Sequence, residues 1–427
     1  MGEGADTPVS IGEKQLAQFA AEAETIINEL ASFGAEADGG VTRLLYSEAW
    51  RGGQEALAGR MRRMGLEVRQ DQAGNVFGRL TGMNAAAPSI LTGSHVDTVR
   101  CGGSYDGIYG IAAGLIALRY LKLTCGQPQR SLEAVSFCEE EGSRFPIAFW
   151  GSGSITGFRG EEHIRGIYDD NGIAFREAME AAGFGNPQQP ASRRDDIAAF
   201  IELHVEQGVI LERMEQTIGI VDAIVGQKRY VIELSGEANH AGTTPMRMRK
   251  DALSGAAEMI VYLEQEALRL GEPLVATVGK IEAVPNTSNV IAGKVTFTLD
   301  IRHPGEAELG SFCGAVLTRF DEIAHIRGLS MDCRKSLDVA PARMDHGLSH
   351  RLEQICQAKS LSYRRMVSGA GHDAQVFQRY CPTALLFVPS CRGISHSPEE
   401  YTLPQDMAAG IAVLIELLYQ LGYAQGG

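Results

Sequence analysis

The run Leu132-Glu-Ala-Val-Ser-Phe-Cys138, followed at once by Glu139-Glu140-Glu141-Gly142, is the feature that most constrains this chain. It reads as a buried strand that ends where three acids begin. In α/β proteins chemistry sits at strand ends, and a glycine directly after the acids suits a tight turn there. By themselves three acids are equally an ordinary solvated loop. What gives them meaning is the set of partners the rest of the chain supplies.

Around that strand, strand-like and helix-like segments alternate. Apolar residues recur at helical spacing over Glu13–Phe33, and Ser47 is placed to cap a helix running to Met64. Short strands are predicted near Leu66–Arg69, Asn75–Leu80 and Ser89–Gly93, then a helix over Ile108–Leu123. This alternation predicts an α/β domain built on a predominantly parallel sheet covered on both faces. The rhythm changes near Thr217. Strands over Gly219–Val225 and Arg229–Leu234, a helix over Lys250–Leu270, strands over Leu274–Glu282 and Lys294–Arg302 and a helix over Gly305–Arg327 predict a small four-stranded sheet with two helices on one face, and a further strand is offered near Leu329–Cys333. After Ser336 the first character returns, with helices over His346–Lys359 and Asp406–Leu421 and a strand over Ala384–Val388. The expected organisation is one α/β domain, residues 1–216 and 337–427, interrupted by an inserted α+β domain over 217–336.

The chain has 39 basic and 53 acidic side chains in 427 residues, a net charge of −14. No basic stripe for nucleic acid or for an anionic membrane is expected. None of the eight cysteines pair as C-x-x-C, which excludes zinc-ribbon and thioredoxin readings, and reduced thiols suit a cytoplasmic protein. No signal peptide is visible in residues 1–12, and the apolar tail Ile411–Leu421 is too short to span a membrane.

His95, Asp106, one of Glu139–Glu141, His204 and His396 have the right chemistry for metal ligands, and each is predicted in a loop at a strand end. Asp97 lies two residues beyond His95, on the same face of an extended segment, where it can orient the imidazole. Asp106 is followed by Gly107, which permits close approach of backbone and metal. Any one of these residues alone is ordinary; their convergence on one sheet is the signal. A ligand set of imidazoles and carboxylates without thiolate suits Zn²⁺, Mn²⁺ or Co²⁺. Two such ions sharing a carboxylate would activate water and polarise a carbonyl, with a further glutamate as general base.

The motifs Gly-Ser-His95-Val-Asp97-Thr-Val, Tyr-Asp106-Gly, Glu-Glu-Glu-Gly-Ser-Arg-Phe145, Leu-His204-Val-Glu-Gln-Gly, His240-Ala-Gly-Thr-Thr-Pro-Met and Gly-Ala-Gly-His-Asp-Ala374 occur in that order. Together they resemble the M20 metallopeptidase family, in the branch that holds allantoate amidohydrolases and N-carbamoyl-L-amino acid hydrolases. The resemblance runs from Gly39 to the final helix. It implies a dinuclear-metal, exopeptidase-like catalytic domain with an inserted ferredoxin-like lid and dimerisation domain. It implies two divalent ions per subunit, Mn²⁺ or Zn²⁺, held by His95, Asp106 as the bridge, Glu141, His204 and His396. Glu140 would be the general base, and Glu139 a bystander with a structural or solvating role. His240 would stabilise an oxyanion in a partner subunit's site, and Gln227, Asn289 and Arg302 would hold a substrate carboxylate.

The implied substrate is a small ureido compound and the implied assembly a homodimer. Arg144-Phe-Pro-Ile-Ala-Phe-Trp-Gly-Ser152, Gly40-Val-Thr-Arg-Leu-Leu-Tyr-Ser47 and Ile224-Val-Gly-Gln-Lys-Arg-Tyr230 resemble the allantoate side of the branch, whereas Ile108-Tyr-Gly is closer to the carbamoylases. The rival expectations are an N-carbamoyl-L-amino acid hydrolase, a dipeptide-cleaving exopeptidase and a non-catalytic metabolite-binding relative.

Overall fold

The structure is a computed structural model and describes residues 11–37 and 39–423. The chain divides into two compact units, Met1–Asp222 with Met344–Met366 and His372–Gly427, and Ala223–Arg343 with Val367–Gly371. The strands, in chain order, are β1 (Glu67–Gln70), β2 (Val76–Leu80), β3 (Ser89–His95), β4 (Leu132–Phe137), β5 (Ile197–Val205), β6 (Ile218–Ile224), β7 (Gly226–Ser235), β8 (Val275–Val284), β9 (Lys294–His303), β10 (Ser330–Val339), β11 (Ala342–Arg343), β12 (Tyr363–Ser368) and β13 (Thr383–Val388).

The larger sheet has the order β1-β2-β4-β3-β5-β13-β6-β11, with β12 beside β6. Its centre is parallel: β4 with β3, β3 with β5, and β5 with β13. The pairings β1–β2, β2–β4, β13–β6 and β6–β11 are antiparallel. The expectation of a predominantly parallel sheet therefore holds for the middle four strands and fails where β1, β2, β6 and β11 join the sheet. The reason is burial: every residue of β3, β4 and β13 is buried, as strands covered on both faces require, whereas β1 is partly exposed. The helix Ile108–Cys125 packs on β3 and β4, with the helices Glu13–Ala31 and Pro404–Gly422 against it. It is long and apolar enough to cross a membrane, yet twelve of its eighteen residues are buried in this core. Ser47 caps the helix Glu48–Arg63, as expected, by accepting the N–H of Trp50 at 3.2 Å.

The second unit carries an antiparallel sheet in the order β10-β7-β9-β8, with the helices Ala252–Leu270 and Glu306–Ile326. Its element order is β-α-β-β-α-β. The predicted β-β-α-β-β-α order misassigned the first strand: β6 pairs with β13 in the large sheet, and the fourth strand of the small sheet is β10. Buried residues alternate along β7 (Tyr230, Ile232, Leu234) and β9 (Val295, Phe297, Leu299, Ile301), so one face of the sheet is apolar and covered by the helices. Asp251 caps the first of these helices by accepting the N–H groups of Leu253 and Ser254 at 3.0 and 3.1 Å.

Candidate metal centre

The parallel centre of the large sheet brings its carboxyl-terminal strand ends together, and the site is assembled there. His95 is the last residue of β3 and His204 the penultimate residue of β5, so both lie on strands, not in the loops after them as expected. Cys138, which follows β4, is held on both backbone groups. Its N–H donates to Asn75 Oδ1 at 2.9 Å and its carbonyl accepts Trp50 Nε1–H at 2.7 Å. The three glutamates start from this fixed point.

Their roles diverge in space. Glu139 is buried, and its carboxylate accepts the N–H groups of Gly142 and, at 2.8 Å, Trp150. It staples the turn after β4, so its part is structural and a solvating role fails. Glu140 and Glu141 follow, with their N–H groups donated to the two oxygens of Asp97 at 3.0 and 3.2 Å. Asp97 also lies 3.3 Å from His95 Nδ1 through Oδ1, and its carbonyl oxygen lies 3.1 Å from the same nitrogen. That contact occupies Nδ1 of His95 and leaves Nε2 facing Asp106. His204 is arranged in the same way, with Nδ1 2.9 Å from its neighbour's carbonyl at Val205.

Asp106 is the hub. Its Oδ1 lies 3.4 Å from His95 Nε2 and 3.1 Å from His204 Nε2, and its Oδ2 lies 3.2 Å from His396 Nε2. His396 Nε2 is in turn 3.4 Å from Glu141 Oε1. Two three-residue groups result, His95–Asp106–His204 and Asp106–Glu141–His396, each with ligand atoms within 4.8 Å of one another. A third group, His95–Glu140–Glu141, brings both glutamates within the same reach. The donors are carboxylate oxygens and imidazole nitrogens, two groups share one carboxylate, and two imidazoles are tautomerically fixed by their other nitrogen. That donor chemistry fits a pair of divalent ions.

The electrostatics describe a centre that holds protons where a cation belongs. Burial would raise the Asp106 carboxyl, but hydrogen bonds from His204, His396 and His95 outweigh it and hold the group well below the usual range. Burial favours neutral His95, yet Asp106 and Asp97 raise it well above its ordinary value. His396 is pushed up to about 9, mainly by Asp106. Burial, with Asp106 beside it, lifts Glu141 to about 7, and burial next to Glu141 lifts Glu140 well above the usual carboxylate range.

Four further residues of the site carried no role in the sequence reading. Gln207 holds a left-handed backbone at φ 56° and donates Nε2–H to Asp106 Oδ2 at 2.8 Å. Glu202 accepts from Ser94 Oγ and Ala374 N, and His372 packs its ring edge-on against His204 at 4.6 Å. Gln207 and His372 stand inside motifs already quoted, so their presence there was the available signal. Glu400 had none: it meets the Asp106 loop across 294 positions of chain.

The remaining candidates lie in the second unit. His240 is exposed, and its Nδ1 accepts the N–H groups of Gly242 and Thr243 at 3.0 and 3.2 Å. The exposed Asn289 gives its carbonyl to the N–H of Ala241 at 3.0 Å. Gln227 on β7 and Arg302 on β9 are cross-strand partners. Both bind one carboxylate that sequence reasoning passed over, Asp300: Gln227 Nε2 at 2.6 Å and Arg302 Nε at 2.9 Å, with Arg229 Nε at 2.7 Å.

Allantoate amidohydrolase of Escherichia coli (strain K12) is 44% identical over 96% of this chain and 99% of its own. Allantoate amidohydrolase of Bacillus subtilis (strain 168) is 44% identical over 96% of this chain and all of its own. An amidase of the hydantoinase/carbamoylase family from Burkholderia multivorans has a solved structure that superposes with a TM-score of 0.89 at 34% identity, covering 93% of this chain and 97% of its own. Residues 91–420 match the family described as Peptidase family M20/M25/M40, and this chain belongs to that family.

Proposed function

We propose that this protein hydrolyses a ureido C–N bond of allantoate. The observation that carries the reading is the pair of ligand groups sharing Asp106 with Glu140 beside them, in a chain 44% identical to two allantoate amidohydrolases. Water adds to the ureido carbonyl carbon, one C–N bond breaks, and the resulting carbamate loses carbon dioxide. The carbonyl and one nitrogen of the ureido group thus leave as carbon dioxide and ammonia, the other nitrogen stays as an amine, and ureidoglycine remains.

In this reading His95, Asp106 and His204 would hold one ion, and Asp106, Glu141 and His396 the other, either Mn²⁺ or Zn²⁺. When bound, such ions act as Lewis acids that polarise the carbonyl and make water more acidic. Glu140 takes the proton of the attacking water and passes it to the departing nitrogen. Its burial supports this, since desolvation beside Glu141 raises the carboxylate's proton affinity well above the usual range. Because Nδ1 of His240 accepts two backbone N–H groups, the neutral ring carries its proton on Nε2, ready to donate to the tetrahedral oxyanion. Gln227, Asn289 and Arg302 bind the substrate carboxylate, for which a guanidinium is suited by its paired donors.

The unit built on the large sheet is the catalytic domain of this cytoplasmic enzyme, and the unit Ala223–Arg343 with Val367–Gly371 is a lid that closes on substrate and joins two copies as a homodimer. The edge strand β8, with Val275, Ile281 and Val284 exposed, supports that assembly, since an open apolar edge invites pairing. Equal mixtures of His240→Ala and Glu140→Gln subunits should recover activity if His240 serves the partner subunit.

Hydrolysis of an N-carbamoyl-L-amino acid by the same residues is the second reading, favoured by the carbamoylase-family structural match. Ammonia release by Mn²⁺-loaded protein, compared between allantoate and a panel of N-carbamoyl-L-amino acids, decides between them. Faster turnover of the panel overturns the allantoate reading.

A further inference from the structure

We propose that Glu400 is a positioning residue of the metal centre, one carboxylate that clips the Asp106 loop to the His396 loop. The inference rests on the reading of Asp106 and His396 as ligands. Glu400 is only 5% exposed. Its Oε2 accepts the backbone N–H groups of Tyr105 and Asp106 at 2.8 and 3.0 Å. Its Oε1 accepts Ser395 Oγ–H at 2.8 Å, and the same hydroxyl lies 3.4 Å from Asp106 Oδ2. A turn in which the N–H of Glu400 donates to Ser397 O at 3.0 Å sets the side chain in place.

Two further observations point the same way. Gly103 leaves the slot that the carboxylate fills: a Cβ there would lie 2.1 Å from Glu400 Oε2. His396 adopts a left-handed backbone at φ 54°, which a residue with a side chain keeps only where its surroundings enforce it. The Ser395–Glu400 bond is adjacent to that residue and ties its loop to the backbone of Asp106. Buried carboxylates without partners are costly, and this one spends its oxygens on the two segments that carry the shared ligand and the most exposed ligand. Removing the clip should loosen His396 against Asp106 and leave His95 and His204, which are set by β3 and β5, in place.

The test is Mn²⁺ titration of metal-stripped wild type, Glu400→Gln, Ser395→Ala and Gly103→Ala by chelator competition, with turnover and melting temperature measured alongside. Wild type should take up two ions. Glu400→Gln should bind the ion of the Asp106–Glu141–His396 group about 10- to 100-fold more weakly, and the ion of the His95–Asp106–His204 group, which shares Asp106, should be weakened distinctly less. Excess Mn²⁺ should then restore kcat with KM unchanged. Gly103→Ala, which evicts the carboxylate, should reproduce that loss, and Ser395→Ala should show a smaller loss at the same ion. Should Glu400→Gln fail to fold, Ser395→Ala carries the test.

Wild-type affinity at both ions in Glu400→Gln overturns the proposal. Equal weakening of both ions, with a lowered melting temperature and no rescue by Mn²⁺, marks a general packing role and overturns it as well. A wild type that takes up fewer than two ions overturns the underlying metal reading instead.

Discussion

Asp97 Oδ1 accepts the backbone N–H of Glu140 at 3.0 Å. With Oδ2 on Glu141 N–H and Oδ1 also 3.3 Å from His95 Nδ1, one carboxylate fixes the start of the acidic turn and the ring that faces Asp106. Its own setting is firm: the fully buried Arg43 donates Nε–H to the adjacent Val96 carbonyl at 2.6 Å and Nη1–H to Leu30 O at 2.6 Å. Asp97→Asn keeps the shape but replaces one acceptor oxygen by a donor. It should lower Mn²⁺ affinity or kcat by about 10- to 100-fold, read by metal titration and steady-state kinetics.

Glu140→Gln removes the proposed base without changing size. Turnover should fall by about 10²- to 10⁴-fold while both ions stay bound. Metal analysis beside single-turnover rates checks this, and near-normal turnover with metal bound would end the assignment.

Proton release on metal uptake follows from the centre's charge state. With His396 pushed up to about 9, its ring is protonated at neutral pH in metal-free protein, and ligation needs the neutral ring. Mn²⁺ uptake at neutral pH should therefore release protons, and the release should shrink as the working pH rises through that value. Calorimetry in buffers of differing ionisation enthalpy reads the number directly; a buffer-independent heat at neutral pH would contradict it.

Asp300 gathers Gln227, Arg229 and Arg302 on one carboxylate, which is held below the usual range by Arg302 and Arg229 against its partial burial. Asp300→Asn should raise KM by about tenfold, the scale of one charge-assisted hydrogen bond, with kcat and metal content nearly unchanged. A fall in kcat alone would argue against a substrate-binding role for this group.

Gly107 follows Asp106 with φ 66°, and a Cβ there would lie 2.4 Å from His95 O and 2.7 Å from two atoms of the His95 ring. Gly107→Ala should cost about 1–3 kcal/mol of stability. It should also weaken Mn²⁺ binding through a displaced His95. Thermal denaturation with and without Mn²⁺ separates the two effects.

The amino-acid sequence determined the alternation of strands and helices, the buried strand before the glutamates and the residue types gathered at strand ends. These are local: periodicity, caps and turn glycines act over a few residues, and Ser47 and Asp251 cap their helices from within three positions. It also placed Asp97 beside His95, because i and i+2 share a face of extended chain.

Tertiary structure decided what depends on packing between distant segments. Strand direction at the sheet margins, and the assignment of β6 to the large sheet, follow from which faces are covered. Glu139, Glu140 and Glu141 are chemically identical and adjacent. They were separated by their surroundings: two backbone N–H groups consume Glu139, burial lifts Glu140, and Glu141 alone of the three reaches His396. Tyr105 and Asp106, which meet Glu400, and Gln227 and Arg229, which meet Asp300, lie on other loops and strands, where no short-range pattern marks them. A carboxylate's role is set by the donors that chain folding brings to it, and for Glu400 two of those arrive from nearly 300 positions away.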